Sequence, residues 1–364
     1  MKTTLSNAAE DVRDLFRGTL IGGAAGDALG FAVEFMSENG ISDTYGEDGI
    51  QAYSLDPLSG KALFSDDTQM SLFTAEGIIY AKRNLNEAFS LRHAIALAYR
   101  DWLITQEGRN PAYVTEAVCN LMKIPDLYSL RAPGNTCIGA MCQRRCQIQT
   151  GTLPESFLEN RINTSKGCGA VMRAAPLGLV RTTDILALDR EGAEIGAITH
   201  GHSLGFMPSA MLVHIINRIV YPVDGMTLKD IVIDARNALK ALFHDDESID
   251  YMTGIIDFAI ELSENDENDL DNIHMIGDGW VGEEAIAIAI YCALKHVNDF
   301  SSAITAAVNH KGDSDSTGAI TGNILGAWVG YHDIENKWKE KLELREVILN
   351  SADGLYEAMQ QNRI

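Results

Sequence analysis

FRGTLIGGAAGDALGFAVEF, residues 16–35, spaces Gly18, Gly22, Gly26 and Gly30 four apart, and GAITGNILGAWVG, residues 318–330, does the same with Gly318, Gly322, Gly326 and Gly330. Residues four apart lie above one another on a helix, so each stretch offers one face without side chains. Two such faces let backbones approach more closely than leucine would allow, which predicts that these helices, from opposite ends of the chain, are neighbours. Small residues at this spacing also occur in membrane spans. Asp27 interrupts the first segment and Asn323 the second, however, so both read as buried helices of a soluble protein.

Helical periodicity recurs outward from this pair, over 68–82, 91–105, 112–122, 205–220, 228–242, 251–262, 283–296 and 301–308. Alternating or β-branched runs are short and scattered, which argues against a parallel sheet. The 364 residues are 46% hydrophobic and 22% charged, with no low-complexity tract and no Pro/Gly/Ser-rich linker. The expectation is a single all-α domain over 1–364, a compact orthogonal helical bundle with a motif-bearing core at 15–330. The stretches 40–62 and 161–169 read as loops, the second able to present backbone N–H groups to an anion. The acidic stretch 261–271 lacks the spacing of an EF-hand and reads as a solvated connection.

Just ahead of the second glycine helix, Gly312-Asp313-Ser314-Asp315-Ser316-Thr317-Gly318 packs two carboxylates among hydroxyls, and Ser65-Asp66-Asp67-Thr68 does so ahead of the helix at 68–82. Asp and Ser are ordinary helix caps, and an acid in the first turn is favoured by the helix dipole, so either motif alone reads as a cap. Crowding changes the balance. Adjacent Asp66 and Asp67, and Asp313 and Asp315 two apart, repel unless a cation or a proton intervenes. Together the motifs offer four carboxylates and the hydroxyls of Ser65 and Ser316, an oxygen-only set that suits one or two six-coordinate Mg²⁺ or Mn²⁺ ions. Such a centre suits hydrolysis of a sugar or phosphate derivative.

The net charge of −22 disfavours nucleic acid or an anionic membrane as partner. The N-terminal residues lack the apolar core of a signal peptide and no uninterrupted apolar run approaches membrane-spanning length, so a cytoplasmic location is expected. Six cysteines do not make a disulfide framework in a chain this long, and Cys137, Cys142 and Cys146 match no zinc or iron–sulfur spacing; they read as reduced core thiols. Gly201-His202-Ser203-Leu204-Gly205 fits the nucleophile elbow of serine hydrolases, yet the residues before it carry a helical rhythm where the elbow needs a strand. His200 and His202 remain as polar groups ahead of an apolar helix. No Walker A, HEXXH or dinucleotide glycine fingerprint is present.

The segments GTLIGGAAGDALGFAVEF, FSDDTQMSL, SKGCGAVMRAAPLGL, ITHGHSLG, GDGWVGEEAIAIAIYC and GDSDSTGAITGNILGA, in this order, resemble the ADP-ribosylglycohydrolase family, which includes the dinitrogenase reductase-activating glycohydrolases. The resemblance implies an all-α fold with a two-metal Mg²⁺ or Mn²⁺ site in a cleft that binds ADP-ribose. It implies Ser65, Asp66 and Asp67 as one ligand triplet and Asp313, Asp315 and Ser316 as the other, with serine at two positions where many relatives have threonine. It places Glu34 beside the metals, Gly167, Cys168, Gly169, Met172 and Arg173 against the diphosphate and ribose, and His200 against the ligand. The implied reaction frees ADP-ribose from a modified protein, most favourably from arginine: water attacks the anomeric carbon, and Asp67, or else Glu34, takes its proton. The alternative is an immunity protein that neutralises a cognate ADP-ribosyltransferase toxin by docking on it, with or without hydrolysis. Complete ligand sets argue against a purely structural role.

Overall fold

Glycine sets the closest approach in the molecule. The computed structural model describes residues 2–84, 90–108, 117–223 and 225–360, with side chains from residue 11 onward. Among them the helices are α1 (Lys2–Gly30), α2 (Glu38–Tyr45), α3 (Asp66–Arg83), α4 (Leu91–Gln106) and α5 (Asn135–Thr150). There follow α6 (Ala175–Gly178), α7 (Ile185–Ala197), α8 (Ser203–Val220), α9 (Leu228–Leu242) and α10 (Ile249–Leu262). The last five are α11 (Asp269–Ile276), α12 (Gly282–Lys295), α13 (Phe300–Val308), α14 (Ser314–Val329) and α15 (Arg345–Gln360).

The two glycine faces meet, α1 running antiparallel to α14. A Cβ on Gly18 would stand 2.1 Å from the Gly326 carbonyl oxygen, one on Gly22 2.2 Å from that of Gly322, and one on Gly26 1.9 Å from that of Gly318. No Cβ fits at those distances, so the seam admits only glycine. At its far end Gly30 faces the Ser314 carbonyl in the same way. The register therefore sets the end of α1 beside the start of α14, where the second acidic motif lies.

The rest of the fold is wrapped around this pair. One apolar cluster runs through the molecule, and α8, packed by α7, α9, α12 and α14, is buried along nearly its whole length. Among the described residues α8 is the one helix long and apolar enough to cross a membrane, and it lies inside the protein. The described residues contain no strand, only isolated bridges between Ala62 and Leu342 and between Gly167 and Val281. The all-α, single-domain expectation holds.

Four local expectations need correction. Residues 112–116 of the helix expected at 112–122 lie outside the described residues. Its described remainder is irregular up to a single 3-10 turn at Asn120–Lys123. The cause is non-local: the Val118 and Cys119 N–H groups donate to Asp101 Oδ2 at 2.7 and 3.0 Å, and that of Asn120 to Glu76 Oε2 at 2.9 Å, so side chains of α3 and α4 take the donors a helix would use. The acidic stretch 261–271 is not all connection, because Asn268 caps α11 by accepting from the Asp271 N–H. The loop expected from residue 40 begins only after α2. All six cysteines are unpaired, but Cys146 is exposed rather than in the core.

Candidate active site

Both acidic motifs are helix starts, each held by a polar group from elsewhere. At α14 the Asp313 N–H donates to the Asp278 carbonyl at 2.8 Å, and a Cβ on Gly312 would lie 1.7 Å from that same oxygen. His310 Nδ1 accepts the Gly312 N–H at 3.0 Å while Nε2 faces the Ala307 carbonyl and Thr317 Oγ1, each at 3.0 Å. An Nδ1 that accepts must be unprotonated, and burial pushes the His310 pKa down to about 4. Asp315 Oδ1 accepts the Ser316 N–H at 2.9 Å.

At α3, Ser65 Oγ caps the helix by accepting the Asp67 N–H at 3.1 Å. The whole turn hangs on Asp27 of α1, whose buried carboxylate accepts from the Ser65 N–H at 2.8 Å, the Thr68 N–H at 2.9 Å and Thr68 Oγ1. The glycine helix thus anchors one motif directly and sets the register of the other. Just beyond its end lies Glu34. Carboxylate oxygens of Glu34, Asp313 and Asp315 all lie within 4.8 Å of one another.

These acids are almost out of water: Glu34 is 6% exposed, Asp66 3% and Asp67 2%. Each nevertheless has a buried oxygen, Glu34 Oε2, Asp66 Oδ2 and Asp67 Oδ2, with no hydrogen-bond partner. Burial, and after it the charge of Asp315, pushes Glu34 up to about 10 and holds Asp66, Asp67 and Asp313 well above the carboxylate range. A protein that aims unpartnered carboxylate oxygens at one another without a cation stores a large penalty. Oxygen-only donors, several anionic and converging, fit a hard divalent ion.

The cluster opens onto a cavity of about 400 Å³ lined by Glu34, Asp66, Asp67, Asp313, Asp315 and Ser316, by Gly167, Cys168, Gly169, Met172 and His200, and by residues 132–137. Phe35 and Trp280, both exposed, line it too and stack with ring centroids 6.4 Å apart. Gly167 and Gly169 lie against His200, whose Nε2 is 3.4 Å from where a Cβ on either would be. His200 Nδ1 sits 2.8 Å from Thr199 Oγ1, and burial followed by the Arg173 charge lowers its pKa to about 3, so the ring is neutral.

Sequence reading thus brought together eleven of the residues that line this cavity, but two of its candidates do not line it. Ser65 is fully buried beneath α3 as a cap and does not line the cavity. Arg173 is fully buried too: its guanidinium stacks 4.4 Å above Tyr99 and donates to Thr199 Oγ1 and, at 3.3 Å, to Cys137 Sγ. Met172 and Arg173 occupy successive positions of one turn, so when the first points into the cavity the second points into the core. Nor are the loop's N–H groups free for an anion at Gly167 and Cys168, which donate to Ser165 Oγ and the Trp280 carbonyl. The elbow-like Ser203 is the first residue of α8 and donates to Asp246, with helix α7 where a strand would be needed.

What sequence reading missed includes Asp27, His310, the aromatic rim and the start of α5. The N-cap of α5, Gly134, makes no side-chain capping bond and gives its own N–H to Asp66; the first residues of α5 line the cavity, so the dipole and the N–H groups beyond Gly134 favour an anion there. The only sequence signal was Pro133-Gly134-Asn135, punctuation that any turn shares.

A helical protein whose buried acids converge at paired helix starts presents an oxygen-donor cluster of the kind that holds a divalent ion. The chain belongs to the ADP-ribosylglycohydrolase family, whose model matches residues 8–364. It is 25% identical over 338 residues to the ADP-ribosyl-[dinitrogen reductase] glycohydrolase of Rhodospirillum rubrum, covering 92% of each chain. It is 26% identical to the ADP-ribosylarginine hydrolase Tri1 of Serratia proteamaculans, over 94% of this chain and 79% of that one. An uncharacterized protein of Archaeoglobus fulgidus is 30% identical over 95% of this chain and 97% of its own. A solved structure titled ADP-ribosylglycohydrolase-related protein complex shares the fold, with a TM-score of 0.62 at 21% identity, over 96% of this chain and 99% of that one.

Proposed function

We propose that this protein is a metal-dependent hydrolase that removes ADP-ribose from a modified protein, with arginine the favoured acceptor. The observation that carries the reading is the set of buried acids, three with an unpartnered oxygen, around one cavity. Asp66, Asp67, Asp313, Asp315, Ser316 and Glu34 would hold two divalent ions, Mg²⁺ or Mn²⁺, with Ser65 setting the first motif from behind. Such ions supply positive charge beside the ribose hydroxyls and make water more acidic.

The remaining work falls to the chain's own groups. Asp67 is the first choice, and Glu34 the second, to take the proton of the water that attacks the anomeric carbon, since each lines the cavity and carries an oxygen with no hydrogen-bond partner. The uncapped start of α5 suits the diphosphate. Gly167 and Gly169, backed by His200, let a ligand lie close to the backbone. Arginine is supported by the likeness to the ADP-ribosylarginine hydrolase of Serratia and by the exposed rings of Phe35 and Trp280 at the cavity that Glu34 also lines, since ring faces and a carboxylate suit a guanidinium.

The test is mass spectrometry of an arginine-ADP-ribosylated protein after incubation with the enzyme. Loss of the modification is expected with Mg²⁺ and not with EDTA. Asp67→Asn keeps the shape but neither the charge nor the proton acceptor, and should lower turnover by at least about 100-fold while ADP-ribose binding persists. If arginine-, serine- and nucleotide-linked substrates all survive while the protein still blocks a transferase by docking on it, the immunity reading replaces this one.

A further inference from the structure

Cys168 is a sulfur donor set into oxygen company. Its Sγ lies 2.7 Å from Asp313 Oδ2, and it lines the same cavity as the unpartnered oxygens of Asp66, Asp67 and Glu34. The placement is built from several sides. The Cys168 N–H donates to the Trp280 carbonyl at 3.3 Å, Gly167 bridges to Val281, and a Cβ on Gly169 would stand 2.9 Å from Cys137 Sγ. The backbone that carries the thiol is therefore pinned toward Asp313.

We propose that Cys168 is a donor to the metal centre and that the centre takes a thiophilic divalent ion of the Zn²⁺ class, held by Cys168 Sγ and Asp313, in competition with the hard ion of the hydrolytic reading. The inference rests on that reading's assignment of the acids as a metal site. Mg²⁺ and Mn²⁺ gain little from sulfur, whereas thiolate selects Zn²⁺, which also outranks Mn²⁺ in general affinity. Zn–S and Zn–O bonds of ~2.3 and ~2.0 Å put two donors on a tetrahedral ion about 3.5 Å apart. The Cys168–Asp313 pair must therefore spread by less than ~1 Å, within reach of side-chain rotation. In the binding step the S–H bond breaks, the S–metal bond forms and the proton leaves to solvent; no electron is transferred. Zn²⁺ so bound would take Asp313 from the hard ion of the hydrolytic reading.

The probe is Co²⁺, which accepts sulfur or oxygen and reports sulfur by a thiolate charge-transfer band in the near ultraviolet. The parent is the full chain with Cys142→Ser and Cys146→Ser, which removes the accessible thiols of α5. One equivalent of Co²⁺ is expected to give the band in the parent and not after addition of Cys168→Ser, while Mn²⁺ binding by calorimetry persists. The same change should lower Zn²⁺ affinity by at least the ~10- to 100-fold that losing even an outer-shell partner brings. Asp313→Asn, with the thiol in place, should also weaken the band, which guards against misfolding of one variant. A band that survives Cys168→Ser, or a parent that shows only the weak absorption of an all-oxygen site, overturns the proposal and leaves the hard-ion reading standing. Failure to bind either Mn²⁺ or Co²⁺ overturns both.

Discussion

Asp27 touches no part of the cavity, yet the position of Asp66 and Asp67 turns on it. Its two oxygens take three donors from the first turn of α3, so Asp27→Asn keeps the volume and turns one acceptor into a donor that faces an N–H. An unsatisfied buried pair of this kind costs about 1–3 kcal/mol, and the turn should shift away from Asp313. Mn²⁺ affinity by calorimetry is expected to fall about 10- to 100-fold with the far-ultraviolet circular dichroism unchanged; wild-type affinity would reduce Asp27 to a core residue. The contrast with Asp66, Asp67, Asp313 and Asp315 explains what could be read from sequence. Adjacent acids are an electrostatic anomaly visible in one line of text, whereas a lone Asp among glycines reads as an interruption and its partners lie 38 to 41 residues on. Arg173 misled for the complementary reason: adjacency to Met172 says nothing about which way a turn aims the next side chain.

Among the elements, the α1–α14 seam has the least slack. In Gly322→Ala the new methyl carbon would stand 2.0 Å from the Gly22 carbonyl oxygen, backbone that cannot rotate aside. The helix-propensity gain of up to ~1 kcal/mol competes with a clash of ~1–3 kcal/mol or more, and the clash should prevail by about 2 kcal/mol in chemical denaturation. Gly254 of α10 is the control: nothing lies within 4 Å of its would-be Cβ, so Gly254→Ala should stabilise by up to ~1 kcal/mol. If both variants gained stability, the seam would have room that its geometry denies. This pairing was legible because glycine every fourth residue has few uses in a helix besides close approach. The segment at 112–122 was not. Its apolar period is real, but its described residues give their N–H groups to Asp101 and Glu76, a competition that no local pattern records.

At the scale of the whole molecule, the cavity's acids set how stability depends on pH and on metal. Without a cation, Glu34 at about 10 and Asp27 at about 7 lie above their unfolded values of ~4.3 and ~3.9. Their stabilisation is fully present below about pH 4 and is lost as pH rises through 7 and towards 10. His200 at about 3 and His310 at about 4 lie below the unfolded value of ~6.5. Their contribution is present above that pH and is lost as pH falls from 6.5 towards 4. The two trends oppose each other in mild acid, but above neutrality only the loss remains. Divalent ions bind the ionised acids and take the place of the protons, so the alkaline limb should flatten when the site is filled. Thermal unfolding with Mg²⁺ and with EDTA, at matched ionic strength, should therefore diverge as pH rises from 6 to 9, by more than the ~1.4 kcal/mol that one pH unit on one carboxylate represents. The net charge of −22 repels itself equally in both solutions and is screened equally by salt, so the difference between the two curves belongs to the site. Curves that stay parallel across that range would mean that no cation binds these acids.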